Sequence, residues 1–230
     1  MRYSTRRRTI QLRIIDLRSL EVTAPTGTST DKLQQVLRDK SAWLLRQLQR
    51  LETTAASSTN ASLTHGATVL YQGAPHSLLL LADGGRKPQV TRNHGAISIH
   101  LSELVGYDND PTVHRALKKW FGEQAEIRLL ERTRYWSSHI GVNPLRIVLR
   151  DQRTRWGSCS SRGTISYNWR IIMAPPPVLD YLVIHELCHM LHPNHSSKYW
   201  LEVSHWCPDY QNQRRWLRQN GGLLGKIFQS

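Results

Sequence analysis

Apolar positions change their spacing along the chain, and each change marks an element. Ile10, Leu12 and Ile14 alternate with Gln11 and Arg13, the period of a half-buried strand. Residues 9–23 read as one or two strands, broken near 17–19, and Pro25-Thr26-Gly27 as a turn. Leu33, Val36, Leu37, Leu44, Leu48 and Leu51 recur at helical spacing, with Trp43 on the flank. They predict a helix over about 31–52, capped by Ser29 or Thr30. The Thr-, Ala- and Ser-rich stretch 53–64 reads as a flexible connection. Short strands at 68–71, 77–81, 89–92 and 97–101, with Gly-containing turns between them, predict a small antiparallel sheet.

The period then lengthens. Asp110-Pro111 opens a helix running to about 138–139, with Asp as cap and Pro at the first turn, and Gly141 ends it. Val113, Leu117, Trp120, Ile127 and Leu130 form its expected buried face. Arg115, Lys118, Lys119, Arg128, Arg132 and Arg134 clothe the other side. A strand follows at 145–150, a polar loop at 151–163 and a second strand at 164–173. Pro175-Pro176-Pro177 starts a helix over 178–191, with Val183, Ile184, Leu187, Cys188 and Leu191 as a thick apolar stripe. Ser196 or Ser197 caps a short helix, and Cys207-Pro208 opens a last one that Asn220-Gly221-Gly222 stops. The order of elements predicts an α+β chain in two parts. A β-rich domain with one helix spans 1–105, and a second domain spans 106–230.

Composition narrows the classes. The 230 residues, 39% hydrophobic with eight tryptophans, suffice for a sizeable core. No stretch approaches the roughly 18 apolar residues of a membrane span. Arg6-Arg7-Arg8 is not followed by an apolar segment, so no secretory signal is read. Three scattered cysteines, Cys159, Cys188 and Cys207, make no disulfide framework and point to a reducing compartment, the cytoplasm. Cys188 reads as a small buried hydrophobe. A net charge of +14 would attract nucleotides or nucleic acid, but the cations are dispersed and no nucleic-acid motif is present, so a solvated surface is the simpler reading. His65, His76, His94 and His100 lack ligand spacing and are expected at the surface.

The chemistry concentrates in His185-Glu186-Leu187-Cys188-His189, followed by His192, Pro193, Asn194 and His195. On a helix His185 and His189 project to one side, one turn apart, and can share one Zn²⁺. Glu186 lies beside the place of a metal-held water and is the expected general base. A histidine pair at this spacing is often only a surface pair. Here the apolar flanks bury the helix, and buried polar groups need strong partners. Pro193 ends the helix, which swings His195 back as the favoured third ligand. His192, Glu202 and Asp209 are the alternatives. Three protein ligands and an open position are the arrangement of a catalytic zinc.

Beyond HExxH, Arg155-Trp156-Gly157-Ser158-Cys159-Ser160, Asn168-Trp169-Arg170, Ala174-Pro175, Asp180-Tyr181, Asn194-His195-Ser196, Tyr199-Trp200 and Pro208-Asp209-Tyr210 resemble the YgjP-like metallopeptidases, relatives of the SprT-like and Wss1-like zinc proteases. The resemblance covers most of the chain. Tyr199 stands where phenylalanine is usual, and the 53–64 connection is long. The resemblance implies a minimal zincin: an HExxH helix packed on a small sheet, after a β-rich N-terminal domain. It assigns one Zn²⁺ per chain to His185, His189 and His195, and the general base to Glu186. Zincins lay substrate against a sheet edge, for which 165–169 is the candidate here. Arg155, Asn168 and Tyr199 are candidate substrate or oxyanion contacts, each with a structural role as its rival.

The expected activity is therefore cleavage of peptides or proteins by a soluble metallopeptidase. Two rivals differ in partner. A UTP pyrophosphatase, the activity described for some relatives, would need Arg153, Arg155, Arg162 and Arg170 grouped on phosphates. A nucleic-acid-associated protease of SprT-like type would use the basic surface, with steep salt dependence.

Overall fold

The computed structural model describes residues 2–4, 9–16, 19–41, 44–45, 63–85, 87–103, 110–152, 154–224 and 226–228. The end of the expected 31–52 helix, Trp43, most of the 53–64 connection and Arg153 lie outside the described residues. The chain divides into two compact units, Met1–Asn60 and Ala61–Ser230.

In the first unit, β1 (Arg2–Ser4), β2 (Gln11–Asp16) and β3 (Ser19–Pro25) form a sheet of order β1-β3-β2. β1 runs parallel to β3, and β2 antiparallel. Helix α1 (Thr30–Asp39) follows, with the Ser29 hydroxyl accepting from the Lys32 amide. That is the capping expected from the Ser-Thr pair.

The second unit begins with β4 (Thr68–Tyr71), β5 (Ala74–Ala82), β6 (Gln89–Asn93) and β7 (Ala96–Leu101), in the order β4-β5-β7-β6. Two tight hairpins, with positive φ at Gln72-Gly73 and His94-Gly95, build it as their turns require. The sheet is not purely antiparallel as expected, because β5 and β7 pair in parallel. Burial explains the order. β7 alternates buried Ile97, Ile99 and Leu101, whereas β6 is almost wholly exposed. The apolar strand takes the inner place and the polar one the edge. The same alternation corrects His76: it shares the inward face of β5 with Leu78 and Leu80 and is buried, not at the surface.

Helix α2 (Pro111–Ile140) keeps its expected ends. Asp110 Oδ1 accepts from the Thr112 amide at 2.7 Å, and Gly141 closes the helix at φ 79°. Its buried row is Val113, Leu117, Phe121, Ala125, Leu129 and Thr133, a strict four-residue repeat. Ile127, expected inside, falls off that row and is exposed. Four of the six basic residues expected on the outer face are paired with carboxylates: Lys118 with Asp151, Lys119 with Glu123, Arg128 with Glu131 and Arg132 with Asp180.

A second sheet of this unit follows: β8 (Arg146–Arg150), β9 (Gly157–Cys159) and β10 (Thr164–Asn168), in the order β8-β10-β9. β9 lies inside the stretch expected as a polar loop; its three small residues carry no apolar alternation. The expected strand 164–173 stops at Asn168, whose Oδ1 accepts from the Arg170 amide, and a buried 3₁₀ turn, Trp169–Met173, takes over. Helices α3 (Pro176–Cys188), α4 (Ser197–Trp206) and α5 (Tyr210–Asn220) complete the chain.

Within the second unit, one apolar core joins Leu78, Ile97 and Leu101 of the β4-β5-β7-β6 sheet to Leu117, Phe121, Ile165, Ile171, Val183 and Leu187. The division expected at 105/106 thus falls inside the second unit. A smaller cluster of Tyr181, Ile184, Cys188, Tyr199 and Val203 joins α3 to α4. Among the described residues, no helix is long and apolar enough to cross a membrane.

Candidate metal centre

Helix α3 is apolar on almost every side. Val178, Leu179, Leu182, Val183, Ile184, Leu187 and Cys188 are all buried. Three polar side chains, Asp180, His185 and Glu186, interrupt this apolar surface. Asp180 receives two hydrogen bonds from the Arg132 guanidinium of α2, at 2.6 and 2.9 Å, a fork-to-fork pair that fixes α3 against α2. His185 and Glu186 lie in the last turn. The entry of the helix is held from the other side, where the β4–β5 turn donates from the Gln72 and Gly73 amides to the carbonyls of Ile172 and Met173. Gly73 comes so close to Pro175 that an added Cβ would lie 2.8 Å from its ring.

The helix ends at Cys188, three residues sooner than periodicity predicts, so His189 sits at its cap. The amides of Leu191 and His192 both turn back to the Cys188 carbonyl. Pro193 then carries the chain away, and His195 comes back immediately before the Ser196 cap of α4. His185, His189 and His195 each offer a ring nitrogen, and the three atoms lie within 4.8 Å of one another. They are the group among the described residues that could hold a metal ion. His195 Nε2 lies 3.4 Å from His185 Nε2. Two nitrogens each about 2.05 Å from one tetrahedral Zn²⁺ are separated by about 3.3 Å, so this pair already stands at ligand spacing.

The protonation states suit the same use. His189 Nδ1 is 3.2 Å from the His192 carbonyl, which can only accept; Nδ1 therefore donates and Nε2 keeps its lone pair. Burial, and then the neighbouring His189 and His195, push the His185 pKa down to about 3. Burial lowers that of His189 as well. Neutral imidazoles are the form that binds a metal. Beside them Glu186 is only 3% exposed, and its Oε2 is buried with no hydrogen-bond partner. Burial raises its carboxyl pKa to about 8. An orphaned carboxyl oxygen on the residue after His185, in a helix that also carries His189, fits a site that takes a cation and a polar ligand of that cation.

The remaining candidates are engaged with partners of their own. Asn168 is spent as a clamp: its Nδ2 donates to the carbonyls of Gln152 and Arg155, and its Oδ1 accepts from Arg170. Arg155 is exposed at the foot of β9, and its carbonyl is what Asn168 holds. Tyr199 is fully buried, with its hydroxyl on His185. Among the alternatives for third ligand, Glu202 accepts from Trp206 Nε1, and Asp209 from the side chain of Gln213. His192 contributes its carbonyl, not its ring.

Two participants went unread in the sequence. Gly157 has room for no side chain, since a Cβ there would strike the Glu186 carboxyl. Trp200 stacks on His195, with centroids 5.4 Å apart and planes at 20°, while Tyr210 stacks on Trp200. Both lie in the motifs quoted above, which mark them without stating what they do.

The sequence pattern of the YgjP-like family, described as a metallopeptidase domain, matches residues 8–220. The chain belongs to the YgjP-like metallopeptidase family. Membership makes it a metal-dependent hydrolase whose substrates are peptides or proteins. No curated protein matches the chain. Among solved structures, it is similar to the crystal structure of the metallopeptidase zymogen of Pyrococcus abyssi abylysin. The identity is 21%, 40% of this chain and 93% of that chain are covered, and the TM-score is 0.36.

Proposed function

We propose that the chain is a zinc peptidase of the zincin type, with one Zn²⁺ held by His185, His189 and His195 and with Glu186 as general base. The observation that carries this reading is the convergence of three imidazoles, with the next residue after the first of them a buried glutamate whose Oε2 lacks a partner. When bound, the ion supplies Lewis acidity, making water a stronger acid and stabilising negative charge on oxygen. Glu186 takes a proton from the attacking water and returns it to the leaving amine. Its raised pKa suits it to hold that proton between the two steps, and a neighbouring cation draws the value back toward neutrality.

Substrate recognition moves from the segment expected in the sequence. β10 is the central strand of its sheet, paired on both sides, so 165–169 offers no free edge. β9 does. The Asn168 amide donates to the Trp156 carbonyl and the Ser160 amide to the Thr164 carbonyl, with Ser158 opposite Ser166 between them. Even-numbered residues of β9 therefore face β10. Gly157 and Cys159 turn their amides and carbonyls to the open side. An extended peptide pairing there runs beside Gly157, which touches Glu186.

The nucleotide reading loses support at Arg170, which is buried and ion-paired with Asp151. The nucleic-acid reading loses it on α2, where most of the expected cations are already paired. The test is zinc-loaded chain with casein and, separately, UTP. Casein should be cleaved, and Glu186→Gln should lose about 10²–10⁴-fold in rate while still holding one zinc. Casein cleavage unaffected by that substitution, or hydrolysis of UTP alone, would overturn the proposal.

A further inference from the structure

The Tyr199 hydroxyl has two neighbours, and both belong to His185. Its oxygen lies 2.7 Å from Nδ1 of the ring and 3.0 Å from the backbone carbonyl. A carbonyl can only accept, so the single phenolic proton goes to it, and the phenolic oxygen must accept from Nδ1–H. A neutral imidazole protonated at Nδ1 keeps its lone pair on Nε2. Nε2 is the nitrogen that meets His195 Nε2 at 3.4 Å. With the phenol reversed, the His185 carbonyl would lose the phenolic proton and a proton would sit on Nε2, in the middle of the triad.

The rest of the residue leaves the hydroxyl little freedom. Tyr199 has no exposed surface and packs with Tyr181, Ile184, Cys188 and Val203. Its ring stacks on His189, with centroids 4.5 Å apart and planes at 25°, and meets His185 edge-on. Its amide is capped by the Ser196 hydroxyl at the start of α4. Helix α4 thus carries a rigid phenol to the back of one imidazole while its ring flanks another.

We propose that Tyr199 is a positioning residue: its hydroxyl sets the tautomer and ring orientation of His185 so that Nε2 is presented to the metal. The inference rests on the triad being a metal site. It takes Tyr199 out of the oxyanion role considered from sequence, because its only proton is already given to the His185 carbonyl.

Two measurements test it. Nitrogen chemical shifts of ¹⁵N-histidine-labelled, metal-free wild-type chain report the tautomer directly. Nδ1–H at His185 is expected, and a dominant Nε2–H would overturn the proposal whether or not any variant folds. In the second, zinc affinity is read by competition with a chromophoric chelator. Tyr199→Phe, which removes one oxygen and keeps the packing, should weaken zinc binding by about 10–100-fold at unchanged stoichiometry. A dissociation constant within twofold of wild type would sink the role given to Tyr199. Wild-type chain that takes up no zinc would instead sink the metal reading itself.

Discussion

The sharpest perturbation is Gly157→Ala. Its backbone needs no special conformation; the glycine is there because of what faces it. A Cβ at this position would strike Glu186 Oε1 and lie 2.8 Å from Cδ and 2.9 Å from Cγ. Carbon atoms in contact settle at about 3.5–4.0 Å, so one side must yield by about 0.7 Å. β9 is tied to β10 through Trp156 and Ser160. Glu186 is 3% exposed, and its Cγ is obstructed along with its carboxyl, so rotation of the terminal bond does not relieve the clash. Overpacking of this kind costs about 1–3 kcal/mol, equivalent to about 2–12 °C in Tm for a chain of this size. The larger effect falls on catalysis, because displacing the proposed base by about 1 Å costs on the order of 100-fold in rate. The assay is kcat/KM on a peptide substrate beside zinc affinity. The substitution should lower kcat/KM by about 10–100-fold and leave zinc affinity unchanged, since Gly157 meets Glu186 rather than the three histidines. A variant that keeps more than a third of wild-type kcat/KM would refute the steric argument.

Two further outcomes can be checked with the same protein. His195→Ala should weaken zinc binding by more than the roughly 10–100-fold that loss of an outer partner costs, whereas His192→Ala should leave it within about threefold, because His192 acts through its carbonyl; the reverse ranking would contradict the ligand set. At Asp151, burial raises the carboxyl pKa, but the Lys118 hydrogen bond and the Arg170 guanidinium outweigh it, and the net value is lowered. A carboxyl depressed in the folded state stabilises above its unfolded pKa and loses that contribution as pH falls through the folded value. The gap in urea midpoint between wild type and Asp151→Asn should therefore be full at pH 7 and narrower at pH 3, and an equal gap at both would refute the pairing.

What the sequence alone determined is what short-range forces control. Asp110, Pro111 and Gly141 set both ends of α2, Ser29 and Ser196 cap their helices, and the glycines of the two hairpins set their turns, because each acts within a few residues. Helix α3 was legible for the same reason, since its prolines mark the start and its apolar run the burial. Tertiary structure decided the rest. Nothing in Gly157-Ser158-Cys159 distinguishes a strand from a loop until β10 lies beside it, and β10 became central only through that pairing. The polar β6 went to the edge because β7 had more apolar surface to bury against β5. Asn168 and Tyr199 read from sequence as substrate or oxyanion contacts with a structural role as the rival, and Arg170 as a possible phosphate contact; each is consumed by a partner from 2 to 19 residues away in the chain. A hydroxyl or guanidinium takes its role from the group it meets, and that meeting exists only once distant segments have packed.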